Sequence, residues 1–382
     1  MPKALFVMTV ALDFRAFLIP IANHFRTTGW RVDAASADIS GNSDCQAGFD
    51  RIFDISWTRN PLNIVNFLRG LRQIRELVSR ERYDIVHVHT PVAALLTRLA
   101  LRNIRRTLPT TVIYTAHGFH FHPGASRVKN VIFIAIEALA ARWTDFLVVI
   151  NRTDEEAARK FIIGVDRLMY MPGIGVDTRH YQAAQVLPAD VKRFRGGLGL
   201  TPGQPLFLMI AELNPGKRHR DALTALTLMN DNTVHLALAG IGPLQQAIER
   251  QIDQLGLAGR VHLLGYRRDI PVLIRASLAT LLPSEREGLP RAIMESLSLE
   301  VPAIGTDIRG VKDLLADGCG LLVPVGDTQA LAQAMREIVT KPELAAQMGQ
   351  FGRRRMAEYD LTHIVQLHES LYQRALNGAC RK

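Results

Sequence analysis

The sequence predicts an α/β protein built from two doubly wound parallel sheets, and three observations lead to this fold class. The chain has 382 residues, whereas a single domain usually spans roughly 100–200. Short apolar segments rich in β-branched residues alternate with longer segments of helical periodicity, which is typical of parallel βαβ units. That alternation stops between residues 173 and 205 and then resumes, so we expect a domain on each side.

The first half of the chain contains strands that we expect to be buried on both faces of a sheet, because they are almost wholly apolar. They cover residues 4–10, 31–35, 84–89, 111–116 and 146–150. Between them, apolar residues recur at intervals of three and four, which indicates helices. These helices cover residues 14–28, 62–79, 92–105 and 128–142, and Thr153 is the predicted N-cap of the next one.

The second half repeats the alternation and ends in helices. Its predicted strands cover residues 206–211, 234–239, 261–264, 278–282, 302–305 and 321–323, and its last three helices cover 328–339, 342–358 and 362–376. The final helix is long enough to return to the first domain. We therefore predict an N-terminal domain over 1–180, a C-terminal domain over 181–360, and a returning helix over 361–382.

The composition is that of an ordinary globular protein with surplus positive charge. Hydrophobic residues make up 48% of the chain, so it can bury large cores, and disordered and fibrous classes are excluded. The 46 Lys and Arg residues outnumber the 36 Asp and Glu residues, which gives a net charge of +10. Such a surplus attracts phosphates, nucleic acid or an acidic membrane surface.

Cysteine usage and hydropathy indicate a cytoplasmic protein. Cys45, Cys319 and Cys380 are widely spaced and odd in number, so we expect neither a disulfide framework nor a zinc knuckle. The short apolar run at the N-terminus lacks a cleavage site and is interpreted as a strand. The most apolar later stretch, 131–150, is interrupted by charges and falls short of the roughly 20 apolar residues of a membrane span.

The segment 281–295 carries the most chemical information. It has the form of a strand, a loop and the start of a helix, with Gly288 allowing close backbone approach and Pro290 suited to the first helical turn. Free N–H groups at such a helix start bind phosphates or sugar hydroxyls. Glu287 in the loop and Glu295, placed two turns into the helix, could each accept hydrogen bonds from vicinal hydroxyls of a sugar.

This segment, Ser284-x-x-Glu287-Gly-Leu-Pro-x-x-x-x-Glu295-Ser296, resembles the donor-binding signature of glycosyltransferase family 4. Further similar segments extend the resemblance over nearly the whole chain; they include residues 84–89, 173–177, 240–244, 265–270 and 302–306. The resemblance implies the GT-B fold, in which two Rossmann-like domains face a central cleft. It also implies retaining transfer from a nucleotide sugar without a metal, so no cofactor is expected.

The resemblance also implies roles for individual residues. Glu287 would contact the hexose of the donor, and Glu295 would contact the ribose hydroxyls. The backbone of Gly288, Leu289, Pro290 and Arg291 would meet the sugar and diphosphate. Gly240 and Gly242 would lie in a donor-binding turn. A lone Gly-x-Gly without a third glycine or a ribose-binding acid is no dinucleotide fingerprint, so an NAD enzyme is disfavoured.

Cations near residue 217 are expected to meet the charge that develops on the leaving diphosphate. Lys217 matches the lysine of the family and is assigned this role. Glu212 stands where the family commonly has arginine, and a carboxylate cannot neutralise a diphosphate. Two explanations are open: Arg218 supplies the missing cation, or Glu212 holds Lys217 in position.

Histidines follow the strand 111–116. His117 matches the histidine that the family places near the transferred sugar, where a neutral imidazole would hydrogen-bond a hydroxyl. His117, His120 and His122 also suggest zinc, but His120 and His122 alternate with phenylalanines and have no cysteine or carboxylate nearby in sequence. We therefore predict no metal site. His87 and His89 are interpreted as core or strand-end residues.

Ten arginines and only three acidic residues lie between Arg59 and Arg106. Apolar residues are interleaved with them, so this stretch is a candidate for contact with an anionic membrane, and a solvated helix face is the alternative.

Together these features predict a retaining glycosyltransferase, cytoplasmic or peripheral on the inner face of the membrane. It would transfer a hexose from a nucleoside-diphosphate sugar, expected to be UDP-linked, to a polyprenyl-diphosphate-linked or saccharide acceptor in surface-polysaccharide assembly. The alternatives are another GT-B enzyme, namely a nucleotide-sugar epimerase or a sugar phosphorylase, and a basic nucleic-acid-binding protein. The last lacks any recognisable nucleic-acid-reading module.

Overall fold

The computed structural model describes residues 1–378 except 13, 15–17, 58–63, 105–106, 122–125 and 162–163. The chain folds into two compact units. Unit 1 comprises Met1–Ile174 together with the segment that starts at Thr362, and unit 2 comprises Gly175–Leu361.

Unit 1 is built on a seven-stranded parallel sheet with the order β3-β2-β1-β4-β5-β6-β7. Its strands are β1 (Lys3–Val10), β2 (Arg31–Ala37), β3 (Arg51–Asp54), β4 (Ile85–His89), β5 (Thr111–Ala116), β6 (Phe146–Val149) and β7 (Leu168–Tyr170). Its helices are α1 (Ile19–Thr27), α2 (Ser43–Gly48), α3 (Ile64–Glu81), α4 (Pro91–Leu101), α5 (Arg127–Ala141), α6 (Arg152–Ala158) and, from the C-terminal segment, α15 (Leu361–Leu376).

Helix α15 packs on the sheet of unit 1. The Tyr372 hydroxyl lies 2.8 Å from Nδ1 of His87 on β4, and the Thr111 hydroxyl on β5 donates to the carbonyl oxygen of Ala375 over 3.1 Å. Phe25 on α1 stacks against the Tyr372 ring. The C-terminal helix is therefore an integral layer of unit 1.

Unit 2 is built on a six-stranded parallel sheet with the order β10-β9-β8-β11-β12-β13. Its strands are β8 (Leu206–Ile210), β9 (His235–Ala239), β10 (Val261–Gly265), β11 (Ala279–Leu282), β12 (Ala303–Thr306) and β13 (Gly320–Val323). Its helices are α7 (Pro188–Gly197), α8 (His219–Leu228), α9 (Gln245–Gln254), α10 (Ile270–Arg275), α11 (Arg291–Ser298), α12 (Val311–Leu315), α13 (Thr328–Thr340) and α14 (Pro342–Arg355).

Two parallel sheets with a Rossmann-like strand order confirm the predicted fold class. The sequence missed β3 and β7, and both are edge strands. Edge strands are only partly buried, so they need no continuous apolar run. In β3 the terminal residues Arg51 and Asp54 are exposed.

Local corrections concern helix ends and the connection. Asn151, not Thr153, caps α6, since its side-chain oxygen accepts from the N–H of Asp154 over 2.8 Å. The region 173–205, interpreted as an irregular connection, contains helix α7. Its sequence is rich in glycine and charge, none of its residues is fully buried, and Val191 and Phe194 pack only partly against the core. The apolar periodicity that reveals other helices is therefore weak.

Candidate functional site

Two loops of unit 2 meet where the strand order of its sheet reverses. β8 and β11 are hydrogen-bonded neighbours although two strands separate them in sequence. Open α/β sheets bind ligands beyond the carboxyl ends of their strands at such a switch point. The loop after β8 is tied to the loop after β11, because the N–H of Glu285 donates to the carbonyl oxygen of Gly216 over 2.9 Å.

Lys217 and Glu287 form an ion pair between these loops. Nζ of Lys217 donates to Oε1 of Glu287 over 2.6 Å, and both side chains are mostly buried. Lys217 ends a short 3₁₀ turn that Asn214 caps, because the Asn214 side-chain oxygen accepts from the N–H of Lys217 over 3.2 Å. The structure thus places together two residues that are 70 positions apart in sequence, and it holds the ammonium group by a charge-assisted hydrogen bond.

The hydrogen-bond partners of Glu212 and Arg218 bear on the two explanations for the glutamate at position 212. Its carboxylate accepts from the side-chain amide of Asn214 over 2.9 Å, while Lys217 is held by Glu287. Glu212 therefore does not hold the Lys217 ammonium group directly. It reaches Lys217 through Asn214, whose side-chain oxygen accepts from the Lys217 N–H over 3.2 Å, so its role in positioning Lys217 stays a prediction. Arg218 is close by, but its guanidinium is engaged by Asp221 at 2.5 Å and by Glu285 at 2.7 Å, so its role toward a diphosphate stays a prediction.

Glu295 lies on α11, which begins at Arg291 with Pro290 as its N-cap. Glu295 is therefore the fifth residue of the helix, just past the first turn and not two turns in. Its buried carboxylate pairs with Nε of Arg291 over 2.8 Å and also bonds Tyr181. Burial raises the pKa of Glu295, and the Arg291 charge opposes that rise.

The loop that bears Glu287 and Gly288 is supported by the segment after β12. Gly310 has a left-handed backbone, with φ of +74°, and a Cβ there would stand 1.9 Å from the Gly288 carbonyl oxygen. Arg309 donates from Nε to the carbonyl oxygen of Glu287 over 3.3 Å. Leu289 packs its side chain against the core of unit 2.

Sequence reasoning missed Tyr181, Arg309 and Gly310. Arg309 and Gly310 follow a strand that neighbours β11, so their place at the carboxyl end of β12 is a signal that could have found them. Tyr181 lies in the connection before α7, where no pattern points to a site.

Gly240 and Gly242 form the turn after β9, which neighbours β8. A Cβ at Gly240 would lie 1.9 Å from the carbonyl oxygen of Ala211, and one at Gly242 would lie 2.6 Å from that of Leu213. Both glycines are thus needed for the turn to pass the loop after β8. Their assignment to donor binding stays a prediction.

In unit 1, His117 follows β5, and its Nε2 lies 3.0 Å from Nδ1 of His89 at the end of β4. His87 lies between Tyr372 and the Thr115 hydroxyl, so His87 and His89 are core residues, as expected. Burial lowers the pKa of His117 to about 4, and a neighbouring His368 adds to this. Burial lowers the pKa of His368 to about 4 as well.

His120 lies beside Phe133 of α5, and His122 lies outside the described residues. Among the residues that the structure describes, no group of three or more His, Cys, Asp or Glu side chains is arranged to hold a metal ion.

These histidines predict an acid-labile unit 1. An unfolded histidine has a pKa near 6.5, whereas His117 and His368 stay neutral in the folded chain down to about pH 4. The unfolded chain therefore binds more protons in this interval. The contribution of these histidines to the free energy of unfolding is fully present above pH 6.5 and is lost as the pH drops toward 4. We expect the Tm to decline steadily between pH 6.5 and 4.5.

The matched variants lie on the same helix. His368→Gln should flatten this decline, while His363→Gln, which changes an exposed histidine, should leave it unaltered. A Tm that stays constant from pH 6.5 to 4.5 would contradict the prediction.

The basic stretch from Arg59 to Arg106 is less uniform than its sequence indicates. Arg98 is buried and pairs with Glu137 at 3.0 Å. Arg72 and Arg80 pair with the neighbouring Glu76 and Glu81. Arg59, Arg105 and Arg106 lie outside the described residues. Several of the counted cations are therefore unavailable or partly neutralised as a membrane patch.

Comparison with known proteins defines the class of enzyme. Residues 190–355 match the family described as glycosyl transferases group 1, and residues 17–179 match the one described as Glycosyltransferase Family 4. The chain shares its fold with HepE of Anabaena, whose structure in complex with UDP-glucose covers 98% of this chain and 100% of its own at a TM-score of 0.81 and 20% identity. The fold is that of the GT-B glycosyltransferases.

Sequence relatives narrow this class. The putative glycosyltransferase EpsD of Bacillus subtilis is 33% identical over 97% of this chain and 96% of its own length. The UDP-Gal:alpha-D-GlcNAc-diphosphoundecaprenol alpha-1,3-galactosyltransferase of Escherichia coli is 27% identical over 75% of this chain and 74% of its own length. The chain belongs to glycosyltransferase family 4, as its motifs indicated. It is a glycosyltransferase of polysaccharide or glycan assembly.

Within the part of the chain that the structure describes, none of the helices is both long and apolar enough to cross a membrane.

Proposed function

We propose that the protein is a retaining hexosyltransferase that uses a UDP-linked sugar and a polyprenyl-diphosphate-linked or saccharide acceptor. The observation that carries this proposal is the mostly buried Lys217–Glu287 pair at the switch point of unit 2, with Glu295 on the adjoining helix. Two relatives by name transfer sugars to undecaprenol-linked acceptors, and one of them uses UDP-Gal. Because such acceptors are anchored in the membrane, a cytoplasmic enzyme that uses them would act at the inner face of the membrane.

The donor would be bound by the loops of unit 2. Glu295 would accept hydrogen bonds from the ribose hydroxyls, and Glu287 would accept one from a hexose hydroxyl. The N-terminus of α11, together with the backbone around Gly288, would bind the diphosphate through N–H groups. Lys217 would face the phosphate from which the sugar leaves.

Transfer would proceed without a protein nucleophile. The bond between the anomeric carbon and the phosphate oxygen breaks, and the acceptor hydroxyl attacks on the face that the leaving group vacates. The leaving phosphate oxygen takes the proton of that hydroxyl. Lys217 stabilises the charge that develops on this oxygen, and Glu287 keeps the ammonium group oriented. His117, neutral at physiological pH, would hydrogen-bond a hydroxyl at the acceptor side.

The proposal includes no essential metal, because Lys217 supplies the positive charge at the diphosphate. Activity in excess chelator should equal activity without it. Loss of activity in the chelator, restored by Mn²⁺ or Mg²⁺, would contradict this part of the proposal.

A thermal-shift series with UDP-, GDP-, ADP- and TDP-sugars tests the donor. A ligand at one hundred times its Kd stabilises the folded state by about 2.7 kcal/mol, and each kcal/mol raises the Tm by roughly 2–4 °C in a unit of this size. We therefore expect a UDP-sugar to raise the Tm by about 5–10 °C. A larger shift with another nucleotide would replace UDP in the proposal, and no shift with any of the four would contradict nucleotide-sugar binding.

A further inference from the structure

Helix α5 exposes an apolar face to solvent. Val128, Val131 and Leu139 are 69%, 66% and 50% exposed, and Ile132 and Ile134 are also exposed. The opposite face packs inward through Phe133, Glu137 and Ala140. A helix that is apolar on all sides is normally buried, so the outer face of α5 is unusual for a surface helix.

The exposed side chains form one continuous stripe. Val128, Val131, Ile132, Ala135 and Leu139 follow the spacing i, i+3, i+4, i+7 and i+11, which places them on one side of the helix. From Val128 to Leu139 the stripe is roughly 17 Å long at 1.5 Å per residue. Contiguous apolar surface of this kind marks a site of interaction.

The exposed charged residues of α5 and of the position directly after it are all positive. Arg127 and Lys129 are exposed at the start of α5, and Arg142 is exposed directly after its end. The guanidinium carbon of Arg102, the residue directly after α4, lies 6.0 Å from the centre of the Trp143 ring, at this same end. The single acidic residue of the helix, Glu137, is buried and pairs with Arg98. The outer surface of α5 therefore combines aliphatic and cationic side chains.

We propose that α5 lies in the interface of an anionic phospholipid bilayer, with Val128, Val131, Ile132 and Leu139 inserted below the headgroups. The stripe supplies the apolar contact, and the cations at both of its ends bind anionic headgroups, which is the combination that interfacial helices use. This inference extends the proposed function, because a lipid-linked acceptor requires the enzyme to work at a membrane surface. It places the apolar contact on α5 and, of the basic stretch from Arg59 to Arg106, uses Arg102.

Co-sedimentation of the full-length protein with vesicles tests the proposal. One set of vesicles contains phosphatidylglycerol and phosphatidylethanolamine at 1:3, and the other contains phosphatidylcholine only. We expect binding to the anionic set, and at least tenfold weaker partitioning to the neutral set. The variant Val131→Glu/Leu139→Glu should weaken partitioning to the anionic set by at least tenfold.

The control is Leu187→Glu/Leu228→Glu in unit 2, which alters two exposed leucines and changes the net charge of +10 by the same two units. It should bind the anionic vesicles within twofold of the native protein. Equal loss in both double variants would show that net charge alone drives binding and would overturn the proposal. Partitioning of the Val131→Glu/Leu139→Glu variant to the anionic vesicles at the native level would also overturn the proposal.

A second copy of the chain is the competing occupant of this face. If the native protein dimerises in sedimentation-velocity runs and the Val131→Glu/Leu139→Glu variant is monomeric with unchanged vesicle binding, the face is a dimer interface and the proposal is wrong. The donor thermal shift separates this result from the proposed function. Vesicle binding without any nucleotide-sugar shift would leave the membrane face standing and remove the hexosyltransferase assignment.

Discussion

Replacing Lys217 by alanine is expected to lower kcat/KM for sugar transfer by about 100- to 1000-fold. The ammonium group is held 2.6 Å from Glu287 between two loops at the switch point of unit 2, where it would meet the charge of the leaving diphosphate. Removing one preorganised donor to a developing charge typically costs 10²–10³ in rate. Steady-state release of nucleotide, measured with donor and acceptor both present, provides the readout.

Lys341→Ala is the matched control for this variant. Lys341 pairs with Glu337 at 2.8 Å, also in unit 2, but on an exposed helix end away from the loops. Its loss should leave kcat/KM within twofold of the native value. Because the Lys217 variant leaves a mostly buried Glu287 without its partner, its Tm must be measured too. Native activity in a folded Lys217→Ala protein would count against the assignment of this residue.

Gly310→Ala is expected to abolish most donor binding and to destabilise unit 2. The new Cβ would stand 1.9 Å from the Gly288 carbonyl oxygen, so the loop that carries Glu287 must move. The Gly310 backbone, with φ of +74° and ψ of −43°, lies in a sparsely populated region that costs an alanine on the order of 1–3 kcal/mol, and overpacking typically adds roughly 1–3 kcal/mol. We expect a lower Tm and at least a tenfold higher Kd for the UDP-sugar, measured by calorimetry.

Gly199→Ala separates backbone strain from displacement of the loop. Gly199 has φ of +72°, nearly the same as Gly310, but nothing lies within 4 Å of the position of its Cβ. The free energy of unfolding of this control variant should fall only by the roughly 1–2 kcal/mol that a positive φ costs an alanine. Its Kd for the UDP-sugar should equal the native value. Equal Kd values in the two variants would show that Gly310 does not support the donor loop.

The central strands of both sheets could be predicted from sequence because they are buried on both faces. β4 and β5 consist wholly of buried residues, and such runs are recognisable without tertiary information. The edge strands β3 and β7 have polar or half-buried residues instead, since their place is set by pairing with a neighbour. Helix α7 was missed for the related reason that none of its residues is fully buried.

The candidate site was predictable only where one segment carries a local motif. Glu287, Gly288 and Glu295 lie in such a segment, and Lys217 lies in another. The contact between the two segments depends on β8 and β11 being neighbours, which is a property of strand order. Closeness in sequence did not identify the ion-pair partner of Lys217. Its ammonium group pairs with Glu287, 70 positions away, and not with Glu212, five positions away. Tyr181 reaches Glu295 across a still longer separation.

The stripe on α5 illustrates a different limit. Its apolar residues are visible in the sequence, but a helix that is apolar on all sides is expected to be buried. Only the structure shows that Val128, Val131 and Leu139 face solvent.

The most direct test of the central claim is a single assay of transfer with two readouts. The protein is incubated with a UDP-sugar and a saccharide linked to polyprenyl diphosphate, and the release of nucleotide and the mass of the acceptor are followed together. We predict that UDP is released only when the acceptor is present, and that each UDP corresponds to one hexose added to the acceptor in the anomeric configuration of the donor. Release of UDP without any gain in acceptor mass, or a product of inverted configuration, would contradict the proposed retaining transfer.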